Sequence, residues 1–350
     1  MDNSSQRTIL RVSPACEIPQ LAGQITSALV GDGPTLGFGE ITSESAPHYA
    51  AVVVGTSGSS GASKEVALTA TALISSARAS HKFIGAKPGQ TWSLLLPLTH
   101  IAAVNVIVRS IELGTLPIDL RNYEGEYPKV DYTSIVPTQL FRALNGDVRL
   151  LNHLKSAKTV LVGGAALSQS LRNQAELAGI KVITTYGMTE TCGGCVYDGE
   201  VLDGVEVEIR NGKINIRGPI LASSISLNAG WYETSDLGEI VDKKLFVLGR
   251  ADDVIISGGE NLSLNAVEES LSKAFPDIQS AAFAIEDPQW GHSLQIAIVG
   301  EVSDELISNH LEKELGAFAK PKGIHHLASL PLLGIGKVDR KALAKGISHE

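Results

Sequence analysis

Aromatic residues are scarce in this chain of 350, at 5%, and cysteines number only three. So few thiols exclude the disulfide framework of a small secreted domain. With no second Cys/His pair at ligand spacing, the Cys192-Gly193-Gly194-Cys195 run falls short of a zinc site, and Cys16, Cys192 and Cys195 read as reduced thiols. Basic residues are also short: 29 Lys plus Arg against 38 Asp plus Glu leave a net charge of −9 with no basic cluster, which disfavours nucleic acid as a partner. No stretch approaches the ~18 uninterrupted apolar residues of a membrane span. The start, M-D-N-S-S-Q-R-T, has neither a basic nor an apolar leader segment, so the expectation is a soluble cytoplasmic protein with no membrane insertion. What is plentiful is glycine, 35 residues, beside 43% hydrophobic content: enough apolar mass for one large core and a second smaller one, with many tight ligand-facing loops.

Apolar runs at 50–54, 92–97, 133–136, 159–163 and 180–184 have strand length, and the stretches 66–82, 100–113, 137–144 and 168–178 have helical length and periodicity. This alternation predicts an α/β domain built on a mostly parallel, helix-covered sheet. From about 201 the texture turns to short alternating pieces at 205–209, 213–216 and 244–248, which predict a small antiparallel subdomain over about 201–250. Beyond Gly249-Arg250 the pattern predicts a helix near 264–275, strands near 278–286 and 294–300, a helix near 304–316 and a last helix from about 339, together a small α+β unit. The expected division is 1–250 and 251–350, with a tight hinge near 250–253, because no Pro- or Ser-rich tether separates the two.

The segment Val54-Gly55-Thr56-Ser57-Gly58-Ser59-Ser60-Gly61-Ala62-Ser63-Lys64 reads as a phosphate loop between a strand and a helix. Its glycines let backbone approach a polyanion, its hydroxyls donate, and Lys64 adds charge. It is not the nucleotide-kinase type, since Ala62 and Ser63 separate Gly61 from the lysine. Alone, the same residues also fit a flexible Gly/Ser linker. A second segment, Thr185-Tyr186-Gly187-Met188-Thr189-Glu190-Thr191, packs an aromatic that can lie on a purine, a glycine for close approach, a hydroxyl and a carboxylate into a few positions. Two more follow, Thr234-Ser235-Asp236-Leu237-Gly238 and Gly249-Arg250-Ala251-Asp252-Asp253.

In this order and spacing, the four segments resemble the adenylate-forming superfamily of acyl-CoA synthetases, nonribosomal adenylation domains and luciferases, over about residues 50–343. Within it the chain is most similar to the o-succinylbenzoate–CoA ligases of menaquinone biosynthesis, in their short actinobacterial form. That likeness rests on Leu96-Pro97-Leu98-Thr99-His100 through Val108-Arg109-Ser110, on Val136-Pro137-Thr138-Gln139-Leu140, and on T-Y-G-M-T-E-T-C-G-G-C-V-Y-D-G at 185–199. Ser235 and Ala103 depart from the usual glycines, and the phosphate loop begins only at 56, as though part of the amino-terminal lobe were pared away.

The resemblance implies an adenylate-forming fold and, residue by residue, a set of roles. Thr56, Ser57, Gly58, Ser59, Ser60, Gly61 and Lys64 would hold the β- and γ-phosphates of ATP. Gly163, Gly164 and Ala165 would line the adenine, Tyr186 would stack on it, and Asp236 and Arg250 would bind the ribose. Thr189 would contact the α-phosphate and Glu190 a Mg2+ ion. His100 and Gly187 would line the acid pocket, Asp252 would be the hinge, and Lys337 would bridge the acid carboxylate and the α-phosphate. Read from the residues alone, Gly163 and Gly164 also fit a helix-entry turn, and Lys337 a helix-start lysine. His100, in register with Val104, Val108 and Ile111, also fits a core histidine, with Arg109 nearly opposite.

The implied activity is ATP-dependent ligation of o-succinylbenzoate to coenzyme A through an acyl adenylate, the small molecules being the only partners. Competing readings are a ligase for another aryl or short acid, a non-catalytic adenylate-binding module, or a phosphotransferase, which would yield ADP instead of AMP and pyrophosphate.

Overall fold

The computed structural model describes residues 6–57, 63–257, 260–287, 291–333 and 338–347. Strands β1 (Gln6–Arg11), β2 (Thr35–Phe38), β3 (Ser45–Pro47), β4 (Ala50–Ser57) and β5 (Ser63–Thr69) form a first sheet in the order β3-β1-β2-β4-β5. Its middle is parallel and both edges are antiparallel. Between β1 and β2, helix α1 (Ile18–Leu29) opens on a proline in its first turn and buries Ile18, Leu21, Ala22, Ile25 and Ala28, one stripe at helical spacing.

The helix expected over 66–82 is corrected here. Residues up to Thr69 belong to β5, and helix α2 (Ala70–Ile84) starts where the Thr69 hydroxyl accepts the Ala72 N–H at 3.0 Å. Val66 and Leu68 are fully buried, and the strand owes its existence to pairing with β4, Thr56 opposite Lys64. The glycine-rich segment therefore joins two antiparallel strands and does not enter a helix.

The second sheet holds β6 (Trp92–Leu94), β7 (Ile118–Asp119), β8 (Tyr132–Ile135), β9 (Thr159–Val162), β10 (Val182–Met188), β11 (Gly193–Tyr197) and β12 (Glu200–Val201), ordered β12-β11-β10-β9-β8-β6-β7. The run from β7 to β10 is parallel, and β11 and β12 add antiparallel strands. Helices α3 (Ile101–Glu112), α4 (Pro137–Leu144), α5 (Val148–Ser156) and α6 (Gln169–Leu177) connect it. Two mixed sheets thus stand where one was expected, because the short strands β1 to β3 carry no long apolar run. Helices α2 and α3 share one buried cluster with residues of both sheets, and α3 is buried on every side from Ala103 to Ser110.

A third, antiparallel sheet follows as expected: β13 (Glu206–Arg210), β14 (Lys213–Arg217), β15 (Tyr232–Val241) and β16 (Lys244–Arg250). The remainder is a smaller C-terminal sheet domain of β17 (Val254–Ser257), β18 (Glu260–Ser263), β19 (Gln279–Asp287), β20 (Gly291–Val299) and β21 (Gly323–His326), with α7 (Leu264–Ala274), α8 (Asp304–Leu315) and α9 (Arg340–Ile347). It has its own core around Val267, Leu271, Ile296, Ile307 and Leu311. Arg340 fastens this body together. Its Nε donates to the Ala282 carbonyl at 2.9 Å, and its two terminal nitrogens meet Glu268 at 2.9 Å and Asp253 at 3.4 Å. Among the described residues, no helix is long and apolar enough to cross a membrane.

Candidate active site

The end of β10 and the short helical turn Thr189–Thr191 that follows it organise the site. The strand expected over 180–184 runs on to Met188, so Tyr186 and Gly187 lie inside the sheet instead of in a loop after it. A bulge between those two residues shifts the register against β11. A Cβ on Gly187 would lie 2.0 Å from the Gly193 carbonyl oxygen, so glycine is required there by the approach of β11 itself.

Fifty positions away in sequence, Asp236 on β15 accepts a hydrogen bond from the Tyr186 hydroxyl at 2.7 Å. Burial, reinforced by the Asp236 charge, pushes the Tyr186 phenol far up and keeps it neutral. Asp236 is cross-strand partner of Arg250 on β16, whose Nη1 lies 3.5 Å from its second oxygen. Arg250 also grips Asp252 through two hydrogen bonds, 2.7 and 2.8 Å. Tyr186, Asp236, Arg250 and Asp252, drawn from three motifs, are one connected cluster.

At the other end of the site, Lys64 Nζ lies 3.5 Å from the Glu190 carboxylate. The hydroxyl of Thr56 donates to the Lys64 carbonyl at 3.0 Å, which ties the two stems of the glycine-rich hairpin. Gly55, just before it, has no room for a side chain: a Cβ would sit 2.2 Å from the Glu40 carbonyl oxygen. Glu65 buttresses the same stem. Burial alone would raise its carboxyl, but hydrogen bonds from Ser43 and Thr42 outweigh that and hold it down at about 2. Gly58, Ser59, Ser60, Gly61 and Lys337 lie outside the described residues.

Gly163, Gly164 and Ala165 follow β9 beside β10, at the carboxyl ends of parallel strands. A Cβ on Gly163 would meet the Thr185 hydroxyl at 2.3 Å, and Gly164 has φ +86°, so both glycines have a backbone reason to be there. His100 is the half-buried N-cap of α3 in extended backbone, not its first helical residue. Its neighbour Thr99 lies against Gly39, which in turn faces Gly55 at the base of the hairpin.

Three side chains were given no role by the sequence reading. Tyr232, on the same strand as Asp236, is pushed up to about 12 by burial and by the charges of Glu190 and Asp236. Asn105 reaches the backbone next to Glu190. Arg109, expected opposite the buried face of its helix, is instead buried at 4% exposure, since α3 has no solvent side. It donates to the Tyr197 hydroxyl at 3.0 Å and stands 5.2 Å from the Trp92 ring centre. Its Nε, the Trp92 indole N–H and His81 Nε2 have no hydrogen-bond partner among the described residues. Burial and the Arg109 charge together push His81 down to about 4. Cys192 and Cys195 are fully buried, which pushes both thiols up, Cys195 to about 12.

Residues 17–220 match the family described as AMP-binding enzyme. The chain belongs to that family. Among AMP-binding relatives, a Mycobacterium tuberculosis (strain H37Rv) protein named a probable 2-succinylbenzoate–CoA ligase is 38% identical over 331 residues, 86% of this chain and 85% of the relative. The 2-succinylbenzoate–CoA ligase of Lactococcus lactis is 28% identical, covering 84% of this chain and 70% of that one. The fold is that of Escherichia coli MenE with bound OSB-AMS, with TM-score 0.75 and 25% identity over 97% of this chain and 81% of the other. It is also that of the o-succinylbenzoate coenzyme A synthetase of Bacillus subtilis in complex with AMP, with TM-score 0.71 and 26% identity over 84% and 69%.

Proposed function

We propose that this AMP-binding enzyme is an acid–thiol ligase that adenylates o-succinylbenzoate with ATP and passes the acyl group to coenzyme A, a step of menaquinone biosynthesis. The observation that carries the reading is the sharing of Asp236 by Tyr186 and Arg250, with Lys64 paired to Glu190 four residues past Tyr186. An aromatic ring beside a carboxylate and a guanidinium suits a nucleoside, and a lysine on a hydroxyl-rich hairpin suits its phosphates.

In this reading Tyr186 stacks on adenine beside Gly163, Gly164 and Ala165, while Asp236 and Arg250 take the ribose hydroxyls. The hairpin from Thr56 to Lys64 holds the β- and γ-phosphates. Thr189 contacts the α-phosphate, and Gly187 leaves room for the acid. The substrate carboxylate attacks the α-phosphorus and pyrophosphate departs. The thiol sulfur of coenzyme A then attacks the acyl carbon, AMP leaves, and the thiol proton is lost. The acid half of the molecule stays near His100, and Lys337 steadies the two anions that react.

Magnesium accepts one or two protein carboxylates and fills its other positions with phosphate oxygens and water. Glu190, half-buried at a strand end and opposed by a single lysine, fits that need. The bound ion would screen the charge of the leaving pyrophosphate.

The second carboxylate of the diacid meets His100, the half-buried N-cap of α3, whose imidazole can hydrogen-bond an anion where the helix amides also favour one. We assign residues 1–250 to ATP and acid binding and 251–350 to a mobile carboxy-terminal domain that turns about Asp252. Three free thiols suit a reducing compartment, the cytoplasm. Incubation with ATP, magnesium and a panel of aryl, fatty and dicarboxylic acids tests the reading. Pyrophosphate and AMP should appear with o-succinylbenzoate well above the rest. Release of ADP, or equal rates across the panel, overturns it.

A further inference from the structure

Asn105 sits in the middle of α3 between Val104 and Val106, 3% exposed, in a stretch that is otherwise almost wholly aliphatic. A buried carboxamide there is costly unless its hydrogen bonds are made. Its Nδ2 donates to the Cys192 carbonyl at 2.7 Å, and the Ser76 hydroxyl of α2, also buried, donates to the same oxygen at 3.0 Å. Cys192 directly follows the turn that bears Glu190 and holds a left-handed φ of +51°. That conformation points its carbonyl away from the β11 ladder and into the two helices, where only side chains can satisfy it. Gly193 makes room: at φ +89°, a Cβ would lie 2.1 Å from Asn105 Nδ2.

The other side of the turn is pinned by shorter-range bonds. The Thr191 hydroxyl accepts from Met188 N at 2.9 Å and donates to the Gly193 carbonyl at 2.7 Å, and the Glu190 carbonyl accepts from Ala222 N at 2.8 Å. The turn around Glu190 is thus held at several points, and the long-range side-chain tie on its carboxy-terminal side is the Cys192 carbonyl, held by Asn105 and more weakly by Ser76.

We propose that Asn105 is a positioning residue: by holding the Cys192 carbonyl it fixes the turn that aims the Glu190 carboxylate, and so sets the magnesium-dependent part of ATP affinity. Since α3 also carries His100 at its amino end, the acid side and the metal side of the site are joined by one rigid helix. The inference rests on the ligase reading only for Glu190 as the magnesium-binding carboxylate.

The test is calorimetric titration of the full chain with ATP, in EDTA and across a magnesium series, without any acid. Asn105→Leu keeps the number and branching of the side-chain heavy atoms, though it is bulkier, and deletes the donor; Ser76→Ala deletes the weaker donor without adding bulk. Wild type should bind ATP more tightly as magnesium rises. In Asn105→Leu that gain should fall about tenfold, the value of one ordinary hydrogen bond, with affinity in EDTA unchanged within twofold. Ser76→Ala should lose less, in the same direction, and decides the matter if Asn105→Leu does not fold. An unaltered magnesium gain in a folded variant overturns the proposal, and so does equal weakening with and without magnesium. If wild type shows the gain and the variants lose it, yet no acid releases pyrophosphate, the ligase reading falls and the positioning role stands.

Discussion

At the scale of single side chains, His100 and Arg109 make separable predictions. If His100 hydrogen-bonds the additional carboxylate, His100→Ala should use the diacid about 10- to 150-fold less well, the value of a charge-assisted bond of roughly 1.5–3 kcal/mol, with little change for aryl monoacids. Steady-state kinetics on both acids reads this, and a change within twofold on the diacid assigns His100 to packing. Arg109→Met should instead lower the melting temperature and leave KM for both acids unchanged, because the guanidinium packs between the Tyr197 hydroxyl and the Trp92 ring. The sequence made His100 conspicuous through its neighbours Leu98 and Thr99. It hid Arg109, because a helix buried all round has no polar face against which an inward arginine stands out. Glu65 gives a pH signature. Its folded carboxyl, held at about 2, lies below the unfolded value, so its stabilisation is complete above the ordinary carboxylate range and is lost as pH falls toward 2. Acid titration followed by circular dichroism should show Glu65→Gln less stable near neutrality and flatter between about pH 4.5 and pH 2.

For the elements, the informative contrast is between what periodicity reveals and what pairing decides. Helix α4 and strands β9 and β13 stand where alternation and turn residues predict them, since each is specified by its own residues. Strand β5 was unreadable because Val66-Ala67-Leu68 runs straight into an alanine-rich helix, and only the antiparallel partner β4 makes it a strand. The contact between Tyr186 and Asp236 was equally invisible: each motif names its residue, but their 2.7 Å hydrogen bond exists because β15 passes β10. Gly187 tests the pairing directly. Gly187→Ala drives a methyl into the Gly193 backbone at 2.0 Å, and neither strand can yield without breaking the ladder. It should cost about 1–3 kcal/mol by thermal melting and lower ATP affinity with it, since the turn bearing Glu190 shifts too. Ala at Gly114, where nothing lies within 4 Å, meets only the strain of φ +72° and should leave ATP binding unchanged.

At the scale of the whole molecule, two cores divide the work. Tyr186, Asp236 and Arg250 come from residues up to β16, and the later sheet packs around its own buried residues. If Lys337 serves adenylation from the second body, Lys337→Ala should abolish acid-dependent pyrophosphate release and spare thioester formation from a supplied acyl adenylate. Equal loss in both steps would remove the division of labour. Asp252→Pro, which fixes φ at the pivot, should give the reverse pattern. Normal rates in both steps would move the pivot to another residue, Asp253 next. Composition, the change in texture near 201 and the motif order made this two-body plan readable. The doubling of the main sheet was not, because strands as short as β2 and β3 become recognisable only beside their partners.

Arg340 gives that plan a mechanical meaning. Asp253, the residue after the proposed pivot, is bolted by one guanidinium to helix α7 through Glu268 and to strand β19 through the Ala282 carbonyl. If the chain turns at Asp252 as proposed, the rotation is delivered to the carboxy-terminal body as to the short end of a stiff lever, with no slack joint between fulcrum and arm. Torque applied at Arg250 and Asp252 would then become travel at the far end of the body.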